Sequence, residues 1–177
     1  PHFLFNALNS VRALVSEDPE RARDMITQLA QYLRGSLSLE PVHRVRLGEE
    51  LALHEAYFAV EKLRFEERLH VSVNASGDAR DAAVLPLLLA PLVENAVTHG
   101  RGTPLVITLR AAVENGQLVL TVENSGSWTA EPASGSVGLN NVRDRLALAY
   151  GGAASLHTEA SDGMVRVRVS LPYTRTS

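Results

Sequence analysis

His2 and Asn6, in Pro-His-Phe-Leu-Phe-Asn, stand one helical turn apart. A neutral imidazole on a polar helical stripe is a nucleophile, and an amide one turn below can orient it or a water. The same pair also reads as a surface histidine near a helix start. In Leu92-Val93-Glu94-Asn95-Ala96-Val97-Thr98-His99-Gly100, Asn95 and His99 again lie one turn apart, beside an apolar face made by Leu89, Leu92, Val93 and Ala96. An amide oxygen suits Mg²⁺, a histidine beside a glycine can meet a phosphate, and Glu94 can orient a water or the metal shell. The plain alternative is a buried helix with satisfied polar residues.

Two further segments belong with these. In Val122-Glu123-Asn124-Ser125-Gly126, strand alternation turns Asn124 inward with Leu118, Leu120 and Val122, and turns Glu123 outward. A polar group at the inner end of an apolar strand can read a base edge; a strand-end turn is the other reading. From Gly135 to Leu146, small residues run into a helix start carrying Gly138, Leu139, Asn140, Asn141, Arg143 and Arg145. Amides at such a start bind phosphate, and Arg143 or Arg145 can add side-chain contacts. An ordinary loop and cap is the alternative here.

Composition removes several mechanisms. The 177 residues contain no cysteine, which excludes disulfides, cysteine zinc sites and thiol nucleophiles. Lys62 is the only lysine among 17 basic residues, and no glycine-rich run precedes it, which excludes a P-loop. Twenty acids against that basic count argue against a nucleic-acid partner. No run of about 18 apolar residues exists, so this stretch is not expected to span a membrane. The chain begins at Pro1 in mid-pattern and reads as part of something longer.

The elements that must position these residues follow from periodicity. Leu4, Leu8, Val11 and Val15 predict the apolar face of a first helix to about Val15. Asp18-Pro19-Glu20 starts a second helix, to about Leu37, with Met25, Leu29, Tyr32 and Leu33 inward. A third runs from about Leu47 to Leu63. From Leu69 the period is two, and Pro86 opens an apolar helix through His99. Strands over Leu105–Val113 and Leu118–Val122 flank the hairpin turn Asn115-Gly116. Residues 126–137 read as a mobile loop, followed by a helix from about Leu139 to Tyr150. Two last strands flank Asp162-Gly163, with Val165, Val167, Val169 and Leu171 inward. Alternation with a wet face predicts an α+β chain: a helical region over residues 1–66, then a two-layer α/β sandwich over 67–177.

The four motifs, in this order, resemble the LytS/YehU-type sensor histidine kinases over essentially the whole chain, including Ala56-Tyr57 and Lys62-Leu63-Arg64-Phe65 in the third helix. The resemblance implies a dimerisation and phosphotransfer hairpin followed by a GHKL (Bergerat-fold) ATPase domain. It implies His2 as phosphoacceptor, Asn95 on Mg²⁺, His99 at the phosphates and Asn124 at the adenine. It implies Gly138 and Asn141 in the glycine box that closes over ATP and Gly163 in the last box; Gly126, Leu139 and Arg143 complete the expected nucleotide site, with Asn6 and Glu94 beside the chemistry. A homodimer, a response regulator of LytTR type, a cytoplasmic location and membrane attachment only through a preceding segment are likewise implied.

Four positions depart from the wider pattern. Asn124 stands for an aspartate, Ser136 for a second lid glycine and Met164 for a threonine. Phe3 follows His2 where many histidine kinases carry an acid. The departures at Asn124, Ser136 and Met164 support a second expectation, a nucleotide-binding dimeric regulator with little kinase activity.

Overall fold

The computed structural model describes residues 2–38, 44–127 and 135–176, with His2, Ser38 and residues 135–137 given by backbone alone. Helix α1 spans His2–Glu17 and α2 spans Pro19–Ser38. Asp18 caps α2, its carboxylate accepting from Arg21 N at 3.2 Å. On α2, Met25 and Leu29 are buried and Tyr32 and Leu33 pack against the core, as their spacing predicts.

The expected face of α1 needs correction. Leu8 and Val15 are more than half exposed, whereas Phe3 and Ala7 are buried. The cause is aromatic packing. The Phe3 ring lies 5.1 Å from Tyr32 and 4.6 Å from Tyr57, centroid to centroid. Turning that large ring inward gains more burial than turning Leu8 inward.

A short ladder of β1 (Val45–Arg46) with β3 (Ala83–Val84) was not expected from the sequence. Between them lie α3 (Leu47–Phe65), a 3₁₀ turn at Glu66–Arg68, β2 (Leu69–Ala75) and the four-residue α4 (Gly77–Arg80). Then come α5 (Ala90–His99), β4 (Leu105–Glu114), β5 (Gln117–Ser125), α6 (Gly135–Tyr150), β6 (Ser155–Ser161) and β7 (Met164–Pro172). The main sheet has the order β2-β4-β5-β7-β6. Its β2–β4 pair is parallel, Leu69 opposite Leu105, and the others are antiparallel.

Both hairpin turns sit where glycine-containing pairs predict them. Asn115 and Gly116 have φ of 49° and 77°, and Asp162 and Gly163 have 53° and 74°. Two successive positive φ values match the twist of the flanking strands. One sheet face is apolar: Ile107, Leu109, Leu118, Leu120, Val169 and Leu171 are fully buried under the helices. The other face carries ion pairs, with Glu123 between Arg110 and Arg166 at 3.1 and 3.4 Å. The expected two-layer α+β sandwich is therefore the architecture. One continuous buried cluster runs from Phe3 and Met25 through Tyr57 to the sheet.

Candidate functional site

Helix α5 carries Glu94, Asn95 and His99, and its start differs from expectation. Pro86 does not open the helix. Residues 86–89 form a turn, and Leu87 adopts a left-handed φ of 55° before α5 begins at Ala90. A leucine in that region costs roughly 1–2 kcal/mol, so other groups must hold it. Glu50, on the first turn of α3 and wholly buried, supplies one hold. Its two carboxylate oxygens accept from Leu87 N and, at 3.2 Å, from Leu89 N. Arg145 on α6 supplies the other, donating to the carbonyl oxygens of Pro86 and Leu87. Burial pushes the Glu50 carboxyl up from its ordinary value, against the opposing pull of those amides and of Arg145.

Asn124 ends the buried run of β5 and is itself 6% exposed. Its side-chain nitrogen donates to Ser125 O at 3.0 Å. Three glycines surround this strand end. At Gly100 a Cβ would fall 2.4 Å from Ala96 O and 2.4 Å from Leu105 Cδ1, a space no side chain enters. At Gly126, φ is 141° and a Cβ would lie 3.1 Å from Arg101 N. Gly126 N donates to Gly163 O at 2.8 Å, which ties the strand end to the β6–β7 turn. Ser125 Oγ donates to Arg101 O at 2.6 Å and accepts from Val106 N at 3.0 Å. So Asn124, Gly126 and Gly163 lie together, beyond the C-terminal end of α5, where His99 is exposed.

A cavity of about 520 Å³ opens on another side of α5. Its lining includes Glu94 and Thr98 of α5, Asn6 and Phe3 of α1, and Tyr57, Glu61 and Arg64 of α3. Glu61 is buried and lies 2.9 Å from the Arg64 guanidinium. Burial pushes the carboxyls of Glu61 and Glu94 up; Arg64 opposes this at Glu61. Burial likewise drives the Tyr57 hydroxyl far above its usual value, and Tyr32 up to about 12. Asn6 thus meets Glu94 across one cavity, and His2 begins α1 one turn above Asn6.

Helix α6 places the last group. Gly138 abuts the start of α5, where a Cβ would lie 3.7 Å from the Pro91 Cβ. Leu139 is buried, whereas Asn141 is exposed. Arg143 donates to Asn140 Oδ1 at 2.8 Å. Of the two arginines the sequence offers for phosphate, Arg145 is committed instead to the carbonyls at 86 and 87. Residues 128–134 of the expected mobile loop lie outside the described residues, and Ser136 is described by backbone alone. Among the described residues no group of three or more His, Cys, Asp or Glu gathers into a metal site. Sequence reasoning missed Glu50, Tyr57 and Glu61 as members of this region. The only signal was their placement on one helix in a segment that fits the resemblance.

Comparisons with known proteins agree. The histidine kinase family model matches residues 1–69. Sensor protein LytS of Staphylococcus haemolyticus is 33% identical over 97% of this chain, and the chain spans 32% of that relative, about a third of its length. The histidine kinase domain of a blue-light activated kinase from Erythrobacter litoralis superposes with a TM-score of 0.58 at 21% identity, covering 92% of this chain and 83% of that one. Histidine kinase ThkA, solved in complex with the response regulator protein TrrA, gives 0.56 at 18% identity over 98% of this chain and 59% of that one. No described helix is long and apolar enough to cross a membrane. With its helical hairpin and ordered motifs, the chain carries the histidine kinase family's region over residues 1–69 and is similar along nearly all of its length to LytS-type sensor kinases.

Proposed function

We propose that the chain is the kinase core of a two-component sensor: it phosphorylates itself on His2 at the expense of ATP and passes the phosphoryl group to an aspartate of a response regulator. The observation that supports this most is the setting of α5. Asn95 and His99 lie one turn apart on that helix, whose C-terminal Gly100 abuts Asn124. The cavity side offers Glu94 beside Asn6, one turn from His2.

The residues present fit a magnesium–nucleotide. Asn95 offers a half-buried hard oxygen. Asn124 commits its nitrogen to Ser125 O, which leaves its oxygen to accept from an adenine amino group. Gly126, held in a conformation that favours glycine, keeps side-chain bulk away from the base. Gly163 serves the same end of the site, and Leu139, Gly138 and Asn141 line the start of α6, where helix amides face an anion. Arg143 adds charge there, and His99 reaches toward the phosphates. Bound Mg²⁺-ATP supplies an electrophilic γ-phosphorus and a neutralised leaving group.

His2 attacks through a neutral ring nitrogen: a nitrogen–phosphorus bond forms, the bond to the ADP oxygen breaks, and the other ring nitrogen gives up its proton. Glu94 receives that proton. It makes no ion pair among the described residues, it lines the cavity beside Asn6, and desolvation raises its carboxyl above the ordinary glutamate value. Asn6 orients the imidazole. Phe3, which replaces an acid beside His2, anchors the helix rather than taking part in chemistry.

We divide the chain near residue 66, where the Glu66–Arg68 turn joins α3 to β2. The helical part forms a homodimer, and the partner is a response regulator of LytTR type. This core lies in the cytoplasm, and any membrane anchor lies in a preceding segment.

The test is incubation with Mg²⁺ and γ-labelled ATP. The expected label is acid-labile and base-stable, and disappears in His2→Gln. Label that persists in this variant overturns the assignment of His2. No label, with ATP still bound in calorimetry, favours the nucleotide-binding regulator instead. Asn95→Ala is expected to abolish magnesium-dependent ATP binding.

A further inference from the structure

The left-handed turn at Leu87 is held from two directions by residues that belong to neither the nucleotide pocket nor the phosphoacceptor helix. Glu50 reaches it from α3, through the amides of Leu87 and Leu89. Arg145 reaches it from α6, through the carbonyls of Pro86 and Leu87. Leu87 therefore has its N–H fixed by one helix and its C=O by another. A leucine persists at a φ of 55° only where its surroundings over-determine it. The turn ends one residue before Ala90, so its geometry sets where α5 begins and how it is rotated.

Asn95 follows on α5 within two turns. Gly138 packs on Pro91 at the start of α5, so α6 touches the turn through Arg145 and the helix start through Gly138.

We propose that Glu50 and Arg145 are positioning residues for Asn95: together they lock the Leu87 turn and thereby fix the magnesium-binding end of the site. The inference rests on the nucleotide reading above. Neither residue touches nucleotide or metal. Arg145 acts on the same turn from the helix that follows the nucleotide loop, and Glu50 acts from the helix that leads back to the phosphoacceptor region. Glutamine at position 50 cannot replace the carboxylate, because one of the two amides would then face an NH₂ donor.

The test measures equilibrium binding of ATP with and without Mg²⁺, and of adenosine, to wild type and to Glu50→Gln and Arg145→Met. Loss of a group that orients a metal ligand weakens metal binding by roughly 10- to 100-fold. The expected result is that Mg²⁺ enhancement of ATP binding falls by that factor while adenosine affinity, read at the Asn124 end, is unchanged. A merely stabilising role would lower melting temperature without this split. Leu87→Gly in the Arg145→Met background is expected to restore the enhancement, since glycine adopts the left-handed turn unaided. Unchanged enhancement in folded Arg145→Met, or equal loss for adenosine, overturns the proposal. Should Arg145→Met not fold, Arg145→Lys, with its charge and fewer donors, is read in its place, and unchanged enhancement there overturns it equally. Wild type that binds ATP without regard to Mg²⁺ sinks the nucleotide reading itself, an outcome distinct from intact wild-type binding with unaffected variants.

Discussion

His54 is the residue with the sharpest mismatch between chemistry and surroundings. It is buried on α3, its Nδ1 lies 2.6 Å from Glu50 O, and its Nε2 has no partner among the described residues. Desolvation pushes its pKa down from 6.5 to about 4. The folded ring stays neutral where the unfolded one takes a proton. Between pH 6.5 and 4 the unfolded chain therefore binds more protons, and stability falls as the pH drops through that window. The shift corresponds to about 3 kcal/mol at the low end. The raised carboxyls of Glu50, Glu61 and Glu94 act in the opposite sense, so the diagnostic quantity is a difference. Urea unfolding at pH 7 and at pH 4.5 is expected to show a smaller loss in His54→Gln than in wild type; equal losses would refute the assignment.

At this scale Asn95 and Asn124 stand out in the sequence, each an amide amid apolar neighbours at helical or strand spacing, and the fold half-buries the first and buries the second. It did not reveal Glu50. That residue is one of two adjacent glutamates in a helix rich in Glu, Ala and Leu, and the amides it satisfies lie 37 and 39 positions away. The choice between Arg143 and Arg145 was open for the same reason: an arginine after a glycine-rich loop looks like an anion contact until the chain folds the Arg145 guanidinium onto Pro86 O.

Among the elements, strands were the most legible. Alternation over Leu105–Val113 and the glycine turns specify both register and face, since a slip by one residue would send Leu109 and Leu120 into water. Pairing partners were less so: nothing local says that β2 lies parallel to β4, because that contact depends on a connection through α4 and α5. Helix boundaries moved where a tertiary hold overrode local signals, as at Pro86. The rotation of α1 has the same origin. Phe3 makes an edge-on contact with Tyr32 and a tilted one with Tyr57, and Tyr57 in turn packs on Phe58. Phe3→Ala is expected to cost about 3 kcal/mol through the cavity it leaves. Hydrogen exchange should speed up at Ala7–Leu14 in that variant while β4 and β5 keep their protection. Uniform acceleration across the sheet would show instead that α1 and the sandwich unfold as one unit.

For the whole molecule, most of the unspent apolar surface lies on the hairpin, Leu148 of α6 being the main exception. Phe5, Leu8 and Val15 on α1, with Ile26 and Leu37 on α2, are each more than half exposed. A helical pair cannot bury such side chains alone, and four helices can. Leu8→Glu with Ile26→Glu is expected to convert a dimer into monomers in sedimentation, with Mg²⁺-ATP affinity unchanged because α5 and β5 lie elsewhere; a monomeric wild type would remove the dimer from the proposal. Composition foresaw this scale in part. The absence of cysteine and of a P-loop narrowed the chemistry before any fold was known, while the continuity of the core across residue 66 was beyond it.

Lys62 shows what that composition makes practical. It is the one lysine side chain, it is exposed, and it lies in the last turn of α3, next to Glu61 on the cavity wall. An amine-reactive dye therefore finds a single side-chain target there without any engineered residue. A fluorophore on Lys62 would report the tumbling and solvent contact of α3 in real time, turning an idle surface group into a built-in optical probe of the cavity wall.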